Sequence, residues 1–359
     1  MTFDLLKALS QKEDFKVHAV LFCHGILWEK LTEAGIQTVV FDEKQNDVFK
    51  TYLKLHRHIE GEHYNIIHTH GYKANILSLL ARRASPKSKF VRTEHGLAGF
   101  ADKKQKTNVT HIVDSISARF FTDLVLTVSE EIKRVKYSSF PNGKVVVVYN
   151  GIDPSRNSVD EAVNVRGTLV RCRHGISPEV MLVGLIGRLV PIKGVDIFLE
   201  IARMIVQKTD RVRFVVIGDG PLRESLERHS RSLGVADKVV FVGFQDPIEP
   251  YFSAIDALAI TSYHEGIPIV LLEAMLQRVP VISFSVGGLP EVLVHGESGI
   301  LVPFGERKTF AEELFRLLND DSLKNRLVTK AENLVKSRFT VNQMVENTVK
   351  AYRDVQTNT

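Results

Sequence analysis

Short runs of β-branched and other apolar residues alternate along the chain with longer stretches whose apolar positions recur every three or four residues. This is the pattern of parallel strands covered by helices on both faces. In the first half it predicts strands at 17–22, 37–40, 66–70, 89–93, 124–128 and 145–149. In the second half it predicts strands at 181–186, 213–217, 239–242, 257–261, 281–284 and 300–302. Helices fill the gaps, one from about Thr2 to Leu9 and long ones at 306–318, 322–337 and 341–355. The alternation breaks at Asn150, Gly151, Ile152, Asp153 and Pro154, and a polar stretch through Asn164 follows, which places a hinge there.

A chain of 359 residues exceeds what one core usually supports. The expected organisation is an N-terminal domain at 1–152, a C-terminal domain at 153–338, and a last helix at 339–359 that crosses back to the N-terminal domain. Both domains read as doubly wound α/β sheets facing a cleft, in which ligands bind outside the carboxyl ends of the strands.

Composition changes this picture little. Hydrophobic residues at 44% and charged residues at 25% suit a folded chain. Two distant cysteines, Cys23 and Cys172, form no disulfide framework, and no apolar run approaches the roughly 18–20 residues that span a bilayer. A cytoplasmic protein is expected. The net charge of +5 favours anionic partners, but the lysines are scattered and no nucleic-acid motif appears, so nucleic acid is not among them.

Chemistry-bearing residues gather at expected strand ends. Gly187, Arg188, Leu189, Lys193 and Gly194 follow the 181–186 strand and precede a helix near Val195. Cations at a helix N-terminus oppose the macrodipole, so an anion is expected there, and a diphosphate would bond Arg188 and Lys193. Glu265, Gly266, Ile267, Pro268, Ile269 and Glu273 cross a loop-to-helix transition. Their carboxylates suit sugar and ribose hydroxyls, and the intervening amides suit phosphate oxygens. Pro268 fits a first helical turn. Gly287 and Gly288 allow a tight turn or a close backbone approach. Gly218, Asp219 and Gly220 begin a dinucleotide fingerprint, but Arg223 stands in place of its third glycine. In the first half, His68 and His70 share a strand face, with Lys73 and His95 nearby. No carboxylate at ligand spacing joins them, so hydrogen bonding or positioning is the expected role and no metal is expected.

In this order the residues resemble the retaining family four of the GT-B glycosyltransferases. The resemblance runs through His70–Gly71, His95–Gly96, the hinge at 149–153, Gly187–Arg188 with Lys193–Gly194, 265–273, 287–291 and 299–303. It implies two Rossmann-like domains and transfer of a sugar, with retained anomeric configuration, from a nucleotide-diphosphate sugar to a saccharide or lipid-linked acceptor in cell-surface polysaccharide or glycolipid synthesis. By the same resemblance Arg188 and Lys193 neutralise the diphosphate, Glu265 contacts the transferred sugar and Glu273 holds the ribose. Gly266 to Ile269 cradle sugar and phosphate, Gly243 and Phe244 line the base, and His95 closes over donor and acceptor beside His70 and Lys73. No cofactor or metal is implied.

The resemblance also implies a first strand and a glycine-rich loop ahead of the Thr2–Leu9 helix, whereas the sequence starts inside that helix. An N-terminal sheet lacking this strand is expected. Two functions follow: an active transferase, or a nucleotide-sugar-binding protein impaired in catalysis or dependent on a partner. Arg278 stands where the family usually ends a helix with glycine, and Leu276 where a small residue is usual. Finally, Lys103, Lys104 and Lys106 precede Val109, Ile112, Val113, Ile116, Phe120 and Phe121, which share one helical face. Such a segment either packs on the core or gives a peripheral contact with anionic membrane on its inner face.

Overall fold

The structure, a computed structural model, describes residues 1–96, 114–157 and 161–357. It falls into two compact units, one of Met1–Ile152 with Val341–Thr359 and one of Asp153–Thr340.

The first unit carries strands β1 (His18–Leu21), β2 (Gln37–Val40), β3 (Ile66–His70), β4 (Lys89–Glu94), β5 (Leu124–Thr127) and β6 (Val145–Val147). They form two parallel sheets, β1-β2 and β3-β4-β5-β6. Helices α1 (Thr2–Ser10), α2 (Ile26–Glu33), α3 (Val48–Glu62) and α4 (Tyr72–Leu80) connect them. The C-terminal helix Val341–Thr357 belongs here as well. It buries Met344, Val345, Val349, Ala351 and Tyr352 in one cluster with Leu5, Leu9, Val91, Leu124 and Leu126.

The second unit has one six-stranded parallel sheet from β7 (Met181–Ile186), β8 (Val212–Ile217), β9 (Val239–Gly243), β10 (Ala257–Ile260), β11 (Val281–Phe284) and β12 (Ile300–Val302). Its order is β12-β11-β10-β7-β8-β9, the doubly wound arrangement in which the first strand lies at the centre. The strands read as nearly continuous apolar runs because helices cover both faces. The Val195–Val206 helix, for example, buries Ile197, Phe198, Leu199, Ile201, Ala202 and Ile205 against Phe214 and Val216.

Two local expectations need correction. The stretch through Asn164 is not all linker, since a helix runs from Glu161 to Arg173. Its pattern hides it, because its contact is made through a glycine: a Cβ at Gly167 would lie 2.7 Å from that of Ser253, on the Glu249–Ala254 helix. Pro268 precedes the Ile269–Leu276 helix at its N-cap rather than lying in the first turn. Arg278 adopts the left-handed φ of 57° that glycine usually takes after a helix, and its guanidinium reaches Glu332 at 2.7 Å.

Candidate active site

In the second unit the chain leaves β7 toward β8 on one side and later returns to β10 on the other, so the carboxyl ends of β7 and β10 form the topological switch point. Gly187–Leu189 leave β7 there, and Glu265 leaves β10. Backbone approaches that only glycine permits lace these loops together. The Gly218 amide donates to the Gly243 carbonyl at 2.8 Å and the Leu189 amide to the Asp219 carbonyl at 2.9 Å. A Cβ at Gly218 would meet the Gly187 carbonyl at 2.0 Å. The Gly218-Asp219-Gly220 sequence is therefore loop packing. Gly287 does the same for the Glu265 loop, where a Cβ would fall 1.8 Å from the Glu265 carbonyl, which accepts from Gly288 at 3.0 Å.

Lys193 and Glu265 meet directly, Nζ to Oε1 at 2.7 Å, with the side chains 23% and 10% exposed. Ser262 Oγ donates to the same carboxylate oxygen at 2.6 Å. Gly194, at φ 58°, lets the chain pass the Thr261 carbonyl, 2.2 Å from where a Cβ would be, before it enters the Val195–Val206 helix. Arg188, by contrast, is exposed and has no ion-pair partner among the described residues. The helix that begins at Ile269 has no side-chain cap, and the amides of Ile269 and Val270 have no acceptor among the described residues. Glu273 lies on that helix, half-buried. Gly243 closes β9 at φ 76°, and the Phe244 ring is 62% exposed. The switch point thus presents one unpaired guanidinium, an ammonium–carboxylate pair, free helix-terminal amides and an exposed aromatic face. This set can take up an anion joined to polyhydroxylated and flat groups.

In the first unit, His70 and His95 come together at the carboxyl ends of β3 and β4. Their rings stack 5.3 Å apart at 23°, and His70 Nδ1 lies 3.0 Å from His95 Nε2. His68 stands behind them, with Nδ1 2.6 Å from the Tyr352 hydroxyl and Nε2 2.7 Å from Thr93 Oγ1. Burial pushes His68 down to about 3, and His95 adds to the effect. Burial also lowers His70, helped by His68, His95 and the α-amino group, while His95 is lowered mainly by burial against an opposing Glu94. Neutral imidazoles follow, one donating and one accepting in each contact. Lys73 is drawn aside to Glu43 at 2.5 Å.

A buried network under His95 was not among the sequence-based expectations. Arg92, 2% exposed, reaches Glu94 at 3.1 Å and Asp114 at 2.8 Å; Lys136 reaches the same carboxylates at 2.6 and 3.2 Å, and the Tyr137 hydroxyl donates to Glu94. Burial would raise the Asp114 carboxyl, but Arg92 and Lys136 outweigh it and hold it below its ordinary range. The available signal was an arginine directly after the apolar pair Phe90–Val91 in a strand expected to be buried. Ser262 and Tyr352 were missed for lack of any local pattern. Of the basic segment, Lys103, Lys104, Lys106, Val109, Ile112 and Val113 lie outside the described residues. Ile116, Phe120 and Phe121 are exposed, while Ser117 and Ala118 face inward. No described helix is long and apolar enough to cross a membrane.

Two family models match the chain in tandem. Residues 1–156 match Glycosyltransferase Family 4, and residues 169–334 match Glycosyl transferases group 1. A glycosyltransferase of Methanocaldococcus jannaschii, described as uncharacterized, is 28% identical over 303 residues, covering 81% of this chain and 75% of that protein. The UDP-Gal:alpha-D-GlcNAc-diphosphoundecaprenol alpha-1,3-galactosyltransferase of Escherichia coli is 26% identical, with 86% and 80% covered. Among solved structures, Anabaena HepE in complex with UDP and glucose superposes with a TM-score of 0.85 at 22% identity, covering 97% of this chain and 94% of that one. The fold is GT-B, and the chain belongs to the group 1 glycosyltransferases.

Proposed function

We propose that the chain transfers a sugar, with retention of configuration, from a nucleotide-diphosphate sugar to a saccharide or lipid-linked acceptor in cell-surface polysaccharide or glycolipid synthesis, without a metal. The observation that carries this reading is Arg188, an unpaired guanidinium at the switch point, beside uncapped amides at Ile269 and Val270. A leaving diphosphate gains negative charge as the glycosidic C–O bond breaks, and fixed donors act most strongly on charge that develops in the transition state. In this reading Arg188 and Lys193, with Gly187, hold the diphosphate; Glu265 contacts the sugar; the backbone of Gly266 to Ile269 cradles sugar and phosphate; Glu273 holds the ribose; and Gly243 and Phe244 line the base. The acceptor oxygen replaces the leaving oxygen on the same face, and its proton passes to the departing phosphate. His95, with His70 and Lys73, serves the acceptor side.

The E. coli relative's name joins a UDP-sugar to a diphosphoundecaprenol acceptor, which supports the donor class and a lipid-linked acceptor. HepE, solved with UDP-glucose, supports the donor class as well. A membrane-linked acceptor suits a protein of the cytoplasm that touches the inner face of the membrane. Co-sedimentation with anionic liposomes at low salt is expected, and no binding there removes the membrane contact. The test of the whole reading is nucleotide release from UDP, GDP and ADP sugars with lipid-linked and saccharide acceptors, with NMR of the product linkage. Arg188→Ala is expected to cost roughly 100-fold in rate. An inverted product overturns retention, and full activity in Arg188→Ala overturns the diphosphate assignment.

A further inference from the structure

Arg223 stands where a dinucleotide fingerprint has the glycine that lets helix and strand approach closely. It opens the Arg223–Ser232 helix, where a cation opposes the macrodipole. Its guanidinium is committed in three directions. Nε donates to Glu227 Oε1 at 3.0 Å, one turn along the same helix; Nη1 donates to Asp219 Oδ2 at 3.2 Å, in the loop after β8; and Nη2 donates to the Phe241 carbonyl at 3.2 Å, in β9. A planar fork held at three corners is fixed in position as well as in direction. Its anchor is fixed too, because the Asp219 carbonyl accepts from the Leu189 amide at 2.9 Å and Asp219 Oδ1 accepts from the Gly220 amide at 2.7 Å.

The fork faces Gly243. A Cβ there would lie 3.0 Å from Arg223 Nη1 and 4.0 Å from Asp219 Oδ2. Gly243 is therefore glycine for two reasons: its φ of 76° is left-handed, and the guanidinium takes the space beside its α-carbon. The rest of the turn is tied from other sides. The Gly218 amide donates to the Gly243 carbonyl at 2.8 Å, and the Gln245 side-chain amide donates to the Val242 carbonyl at 2.9 Å. Phe244 sits between these ties with its ring turned largely to solvent.

We infer that Arg223 is a positioning residue for the nucleobase: by filling the space beside Gly243 and tying β9 to the loop after β8, it sets where Phe244 presents its ring. The inference rests on the proposed reading of Phe244 as a residue that lines the base. A flat base stacks on an aromatic face, and a ring already in place spares the complex an ordering cost. Arg223→Ala keeps the ring but frees the turn, since glycine takes left- and right-handed φ about equally well. Arg223 thus acts through Phe244 rather than on the ligand.

The test is a cycle of two variants, read by calorimetry at about 0.15 M salt, where charge effects fade beyond roughly 8 Å. The probes are UDP, GDP and ADP, of which the one that the unaltered chain binds most tightly is carried through. Phe244→Ala is expected to weaken binding about fivefold or more, the worth of one base on one aromatic ring, and Arg223→Ala at least about threefold. The double variant is expected to bind no more weakly than Phe244→Ala alone, because an absent ring cannot be positioned. Losses that multiply overturn the inference, since Arg223 then acts on the nucleotide directly or through the fold at large. An unaffected Phe244→Ala or an unaffected Arg223→Ala overturns it as well. Turnover separates positioning from general damage: Arg223→Ala is expected to raise KM for the donor and to leave kcat within about twofold, as the base lies away from the breaking bond. A fall in kcat with KM unchanged contradicts this. A chain that binds none of the three nucleotides overturns the donor reading and the inference with it, whereas one that binds a nucleotide and ignores Arg223→Ala loses the inference alone.

Discussion

Lys193 and Glu265 hold each other within the proposed donor site, so each has a structural partner as well as a proposed chemical role. Without a ligand the ammonium is spent on the carboxylate, so Lys193→Ala leaves a 10%-exposed charge with only Ser262 for a partner. Thermal unfolding of the second unit is expected to register a loss of roughly 1.5–3 kcal/mol, whereas Arg188→Ala, whose side chain is exposed and has no ion pair among the described residues, leaves the midpoint unchanged; equal effects contradict this division. The buried Arg92 offers a stronger case. Arg92→Met leaves Glu94 and Asp114 to share Lys136 as their one cation among the described residues and should cost the first unit roughly 3–5 kcal/mol, and a loss under 1 kcal/mol would argue that water reaches the network. Histidine protonation gives the third residue-scale prediction. An unfolded histidine takes a proton as pH falls below about 6.5, while folded His68 stays neutral down to about 3. The first unit's stability is therefore lost as pH falls through that window, by about 1.4 kcal/mol per pH unit for each such histidine. His68→Gln should flatten the pH dependence of the melting point between pH 7 and 5, and an unchanged slope contradicts the assignment.

Elements were legible wherever burial is two-sided. All twelve expected strands form, and 37–40, 66–70, 181–186, 281–284 and 300–302 match to the residue; the last three are nearly continuous apolar runs because helices cover both faces, whereas Gln37–Val40 and Ile66–His70 carry polar residues and are only partly buried. The Glu161–Arg173 helix escaped, since a glycine contact leaves no apolar stripe to read. The site was half legible: Arg188, Lys193 and Glu265 announce themselves as charges at strand ends. What a linear pattern could not supply was pairing, namely that Lys193 and Glu265 hold each other, that Lys73 turns to Glu43, and that Tyr352 reaches back across the whole chain to His68. Gly194 is where element and site join. Its left-handed φ and the nearby Thr261 carbonyl leave no room for a side chain, so Gly194→Ala should destabilise the second unit by about 2–3 kcal/mol and weaken nucleotide-sugar binding through misplacement of Lys193.

At the scale of the whole molecule, the chain finishes in the unit where it began. The Val341–Thr357 helix follows the second unit in sequence but buries Met344, Val349 and Tyr352 in the first, so removing residues from Val341 onward should melt the first unit while the second keeps its own transition. In the proposed reading the second unit, whose open sheet keeps β7 at its interior, carries the donor site. The most direct measurement of that claim is calorimetric titration of the full chain with UDP, GDP and ADP sugars, repeated with Arg188→Ala and Glu273→Ala. Submillimolar binding of one donor class is expected, weakened at least about tenfold by Arg188→Ala, the loss of a charge-assisted contact, and weakened too by Glu273→Ala. Binding of no donor, or binding that both variants leave untouched, contradicts the account.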